Sequence, residues 1–149
     1  MTRLSNPARH WTDNFVGLPY VDGGRDRRGC DCWGLVRLVF AERAGIELPG
    51  YGDTSAADLS AVAREVADGA EKDPWRPVFR HDVRAFDVVV MAGRFRSGGS
   101  HRRAAVHVGV MADTMRVLHV EKRTAAVLMP LTHQFIRHRL LGIYRHKDL

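Results

Sequence analysis

Cysteine is scarce in this chain: 149 residues include only two, Cys30 and Cys32. They are one residue apart, which makes them poor disulfide partners and rules out a disulfide framework. A reducing compartment at synthesis is the simpler expectation. Long apolar runs are lacking too. None exceeds the five residues of Val88–Ala92, far short of the roughly 18 that a membrane span needs, so no membrane span is expected. The N-terminal stretch MTRLSNPARHW has no apolar signal-peptide core, which predicts synthesis in the cytoplasm without a secretory signal. Zinc-finger spacing and aromatic-rich RNA-binding strands are also absent, so nucleic acid is not an expected partner.

What remains is an ordinary globular composition, 45% hydrophobic and 27% charged, with a net charge of +6. The length fits one domain, residues 1–149, able to bury a core without staples. The charge is unevenly spread. Residues 93–149 carry 11 basic against 3 acidic side chains, whereas residues 31–92 carry 7 against 11. A basic C-terminal half favours anionic partners such as acidic polymers or an acidic protein face.

The first third of the chain reads as helical. Asn6 and Pro7 predict a helix start, with Ala8, Trp11 and Phe15 on one face and Gly17 as the stop. A charged, glycine-rich loop follows from Leu18 to Gly29, in which Gly23 and Gly24 read as turn residues with positive φ. Asp31 is placed to cap a second helix bearing Cys32, Leu35, Val36, Val39 and Phe40 on one stripe, ended by Gly45. A third helix is expected from Ser55 to Gly69. From Phe86 the pattern turns to period two. The expected strands are Phe86–Ala92, Ala105–Ala112, Met115–Glu121, Thr124–Met129 and Leu141–Arg145. Helices first and an antiparallel meander second predict an α+β fold, with N-terminal helices packed on an antiparallel sheet of about five strands. Asp87 reads as structural.

Cys32 falls in the first turn of the second helix, where exposed N–H groups and the helix dipole favour a thiolate and lower its pKa. A single cysteine there is more often a small buried apolar residue. Cys30 precedes the helix and reads as incidental, and no second cysteine pair exists to complete a tetrahedral metal site. What changes the balance is a pair of histidines. His107 and His119 lie within expected strands on either side of a turn at Ala112-Asp113-Thr114. A three-residue turn there would set them directly opposite each other, on one face. One imidazole can then hold the other in a fixed tautomer, as a base for a thiol nucleophile requires. His10, His81, His133, His138 and His146, together with His101 in the basic loop Arg94–Arg103, read as solvated surface groups.

Four segments in order, PYVDGG at Pro19–Gly24, DCWGL at Asp31–Leu35, AFDVVVM at Ala85–Met91 and HVGVM at His107–Met111, resemble the NlpC-like cell-wall cysteine peptidases. VLHV and the final GIYR at Gly142–Arg145 continue the likeness across nearly the whole chain. The resemblance implies a small papain-like α+β core with no metal or organic cofactor. It implies Cys32 as nucleophile, His107 as base and His119 as the group orienting it. Tyr20 would lie beside the nucleophile at the oxyanion, and Asp31 would hold the free amine of a peptide stem, although Asp31 serves equally as a plain helix cap. Trp33 stands where a small polar residue is usual and is expected to alter the near subsite. Trp33 followed by Gly-Leu-Val-Arg resembles the branch found with phage tails and gene transfer agents. The implied function is hydrolysis of peptidoglycan stem peptides at the γ-D-glutamyl–diaminopimelate bond. The implied partners are tail-tip or baseplate hub proteins, and the implied location is a virion or gene transfer agent tail. Two alternatives remain: an N-acetylmuramoyl-L-alanine amidase, or a non-catalytic tail-tip component that retains the fold.

Overall fold

The computed structural model describes residues 9–49, 74–92 and 105–149. The expected cap at Asn6, the helix from Ser55 to Gly69 and the loop Arg94–Arg103 lie outside them. Eight strands are present among the described residues: β1 (Arg25–Asp26), β2 (Gly29–Cys30), β3 (Trp75–Pro77), β4 (Val88–Ala92), β5 (Ala105–Met111), β6 (Arg116–His119), β7 (Val127–Pro130) and β8 (Leu140–His146). Two α-helices, α1 (Cys32–Val39) and α2 (Gln134–Arg137), accompany them. β1 and β2 form a small hairpin, and the other six build one sheet in the order β3-β8-β4-β5-β6-β7, antiparallel throughout. The architecture is α+β, with six strands in the main sheet where about five were expected. The additional one, β3, is a three-residue edge strand containing Pro77, too short to show alternation.

Each face of the sheet carries its own core. Val88, Val90, Val108, Val110, Leu118 and Val120 pack with Leu35, Val36 and Val39 of α1. Val89, Met91, Met111, Val117 and Ile143 pack with Leu131 and Ile136 on the other side. Most of these side chains are fully buried, each stabilising the fold by about 1.5–3 kcal/mol relative to exposure. No helix among the described residues is long and apolar enough to cross a membrane.

Several boundaries differ from the sequence expectation for identifiable reasons. In place of a first α-helix there is a 3-10 turn, Trp11–Asn14, capped by His10. Gly17 then takes a φ of 94° and gives its N–H to the Ala126 carbonyl, so the chain turns away to run beside residues 124–126. Those residues, expected in a strand against β6, bridge to Pro19 instead, and β7 begins only at Val127. Phe86 does not open β4. It sits at φ 72° and stacks on Trp11 with ring centroids 4.9 Å apart. Asp87 behind it is fully buried, taking the Arg84 N–H and two guanidinium N–H groups of Arg145, each at 2.8 Å. This is the structural role expected of it.

His146 is not a solvated group. It is 7% exposed and packs edge-on against Trp75, and burial lowers its pKa. A histidine buried neutral takes up its proton more readily in the unfolded chain, so stability rises with pH around its titration and falls on acidification below about pH 6.5. Thermal melts of the parent and His146→Phe between pH 7 and 5 should show a shallower acid loss in the variant. Identical slopes would mean that His146 does not titrate on unfolding.

Candidate active site

The site begins at the start of α1. Asp31 is an N-cap in extended conformation, and its Oδ1 accepts the Gly34 N–H at 2.7 Å, a contact worth about 1 kcal/mol to the helix. The same oxygen accepts from Arg25 Nη1 at 2.5 Å, which ties the β1–β2 hairpin to the helix start. The glycines here answer to close packing. A Cβ on Gly34 would stand 2.1 Å from the Gly24 carbonyl oxygen, and one on Gly24 would stand 2.4 Å from that of Gly29. Gly23 has the positive φ expected of a turn residue, 70°, while Gly24 is required by the approach of the hairpin strands. Beyond Val39 the helix relaxes into a π-turn, Phe40–Ala44, and stops at Gly45 as expected.

Cys32 is the first residue of α1 and is 1% exposed. Its sulfur is hydrogen-bonded by backbone groups of Val108 and Trp33. The thiol therefore rests against β5 at the residue next to His107. The expected lowering of its pKa is reversed. Burial dominates and pushes the thiol up to about 12, with the carboxylate of Asp31 adding to the rise and the two backbone hydrogen bonds opposing it. Cys30, also free and buried, is raised to about 11, mainly by burial.

His107 Nε2 and His119 Nδ1 are 2.9 Å apart, and the rings meet edge to face. Both are nearly buried, at 6% and 3% exposure. The sequence placed them on one face but misjudged the register. β5 and β6 pair Val110 with Leu118 and Met111 with Val117, two positions away from the expected pairing. His107 and His119 are thus diagonal neighbours. The turn sits one residue later than expected, over residues 113–115, where the Ala112 N–H reaches the Arg116 carbonyl at 2.8 Å and Asp113 Oδ1 accepts the N–H groups of both Met115 and Arg116, each at 2.8 Å. An offset of two preserves the facing, so the contact survives.

Tyr20 and Asp31 are joined by an unmet demand for hydrogen bonds. Among the described residues, neither the Tyr20 hydroxyl nor Asp31 Oδ2 has a hydrogen-bond partner, though both are buried. Burial, and then the charges of Asp22, Cys32 and Asp31, raise the phenol above its usual range. Trp33 is a correction. It is fully buried in the α1 core, and its Nε1 donates to the Pro49 carbonyl at 3.0 Å. As the second helical residue it faces inward, so it is not the wall of an open subsite.

Glu121 was not singled out from the sequence. Its Oε1 lies 3.7 Å from His107 Nε2 and pairs with Arg139. The signal was available: it stands two residues beyond His119, a spacing that keeps one face of an extended chain.

Comparison with known proteins gives a consistent result. The family model described as NlpC/P60 family matches residues 17–145. The chain is 27% identical over 144 residues to gamma-DL-glutamyl hydrolase of Bacillus subtilis (strain 168), covering 96% of this chain and 30% of that protein. It is 26% identical over 133 residues to a probable endopeptidase of Haemophilus influenzae, covering 89% and 66%. A crystal structure of an NLP/P60 family protein similar to lipoprotein, from Staphylococcus aureus subsp. aureus Mu50, superposes with a TM-score of 0.61 at 21% identity. That match covers 90% of this chain and 39% of the other. The chain thus spans 30% to 66% of the lengths of these proteins. With the family model running from the turn at Gly17 to the last strand, through the capped cysteine and both histidines, the chain belongs to the NlpC/P60 family.

Proposed function

We propose that this chain is a single-domain cysteine endopeptidase that cuts peptidoglycan stem peptides, at the bond between γ-D-glutamate and diaminopimelate. The observation that carries the reading is the His107–His119 pair, hydrogen-bonded at 2.9 Å beside the strand residue that contacts Cys32. With Nε2 of His107 engaged by His119, Nδ1 is its nitrogen for taking the thiol proton. Sγ attacks the γ-glutamyl carbonyl as that proton leaves, because a thiol held up to about 12 is not ionised in advance. The N–H of Cys32 and the Tyr20 hydroxyl stabilise the oxyanion. His107 returns the proton to the departing amine of diaminopimelate, and water then opens the thioester with His107 as base. Asp31 Oδ2, buried and lacking a hydrogen-bond partner among the described residues, accepts from the free ammonium of the stem, which offsets the cost of leaving a carboxylate oxygen unmet. The scheme calls on no metal or organic cofactor. The name of one relative, a gamma-DL-glutamyl hydrolase, supports a γ-glutamyl bond, and that of another, a probable endopeptidase, supports the reaction class.

The finer part of the proposal is delivery in a phage-like tail, attached to tail-tip or baseplate hub proteins and opening the wall during DNA transfer. The resemblance of Trp33-Gly34-Leu35-Val36-Arg37 to the tail-associated branch supports it. The basic C-terminal half suits an acidic tail-tip face or the carboxylates of the wall. Digestion of purified sacculi with identification of fragments by mass tests the chemistry. Release of fragments ending in γ-D-glutamate supports the reading. Free L-alanine amino ends would make the chain an amidase, and no release would make it a non-catalytic component. Mass spectrometry of purified particles tests delivery, and absence of the chain from them would overturn it.

A further inference from the structure

His107, His119 and Glu121 each present one ligand atom, and the three atoms lie within 4.8 Å of one another. The nitrogens are 2.9 Å apart, and Glu121 Oε1 is 3.7 Å from His107 Nε2. Two imidazoles and a carboxylate are a donor set that binds zinc tetrahedrally, with the fourth position left to water. The His119 ring is held by β6, and Glu121 is steadied by Arg139, whose Nε donates to the Ala92 carbonyl at 2.7 Å. The Glu121 side chain is 23% exposed against 7% for the side chain of His107, so the carboxylate gives the ion its way in. We propose that these three side chains bind one zinc ion and that the bound ion switches the peptidase off.

The regulatory half of this inference rests on the catalytic reading above, whereas the binding half does not. In the working site His107 carries its proton on Nε2, donates it to His119 Nδ1 and keeps Nδ1 as acceptor for the Cys32 proton. Zinc takes the lone pairs of Nε2 and of His119 Nδ1. The proton on His107 must then move to Nδ1, which leaves that nitrogen a donor. His107 then offers Cys32 no lone pair, and its hydrogen bond to His119 is replaced by the ion. No bond to carbon forms or breaks, and removal of the metal restores the original tautomer. Arg139 competes for Glu121, which keeps the ion exchangeable.

Zinc titration of the Cys32→Ala variant, in competition with a chromogenic chelator, reads the site without the Cys32 thiol and without any need for activity. One ion per chain is expected, with affinity lowered at least about 10-fold by Glu121→Gln and by His119→Gln, both checked for folding by circular dichroism. Absence of binding, or binding that neither substitution weakens, overturns the site and assigns any bound zinc to surface histidines. Metal-free parent protein then reads the switch: sacculus digestion should stop at saturating zinc and return with chelator. Digestion undiminished at saturation overturns the switch. Failure of metal-free protein to digest at all overturns the catalytic reading and the switch with it, while the titration still decides the site.

Discussion

Cys32→Ala is expected to abolish sacculus digestion, lowering the rate by at least about 10⁴-fold, while the folded protein survives. Alanine has the best helix propensity, and the loss of one sulfur from the first turn leaves the Asp31 cap and the α1 stripe in place. Cys30→Ala provides the internal control. That side chain is equally buried and its pKa is also raised, but it lies in β2, before the helix start, so activity should remain within a few fold of the parent. Fragment release by mass, alongside thermal melts of both variants, checks the prediction. Digestion that persists in folded Cys32→Ala would remove the thiol from the mechanism.

The second large effect is expected at His107. His107→Ala should cost about 10²–10⁴-fold in kcat, the range for loss of a general base, with a smaller loss for His119→Ala, and KM should change little in either. The buried thiol adds a signature in pH. Without His107 the rate follows the thiolate fraction. For a thiol pushed up to about 12, that fraction grows tenfold per pH unit well below its pKa. Activity of His107→Ala should therefore climb steadily through pH 9. A plateau already reached near neutrality would mean that Cys32 ionises without help. Equal, negligible losses in the two histidine variants would return both to the core.

How much of this was legible in the sequence depended on how locally each feature is determined. The start of α1 was readable because a cap is a contact across three residues, and Asp31 with Gly34 makes it. The shared face of His107 and His119 was readable because alternation along a strand is strict. Their exact pairing was not, because the side chain of Asp113 holds the turn one residue further along, and side-chain hydrogen bonds leave no mark on a hydrophobic pattern. The pKa of Cys32 was misjudged in direction. Position at a helix start can be read from spacing, but the depth of burial depends on residues far along the chain. The inward packing of Trp33 and His146 was missed for the same reason, since their neighbours Pro49 and Trp75 come from distant segments.

The alternation that holds the two imidazoles together also sets a rule for the length of the turn between β5 and β6. Val108, Val110, Leu118 and Val120 of these strands pack with α1, and Met111 and Val117 lie on the other side. A single-codon insertion between Asp113 and Met115 would rotate every downstream side chain of β6 by half a turn. It would turn His119 away from His107 and set Leu118 or Val120 in its place, an aliphatic chain beside His107. Two added codons would only slide the pairing and keep the facing. The gap between the two histidines can therefore be varied in pairs of residues but not singly, a parity constraint imposed on the gene by the geometry of an extended backbone.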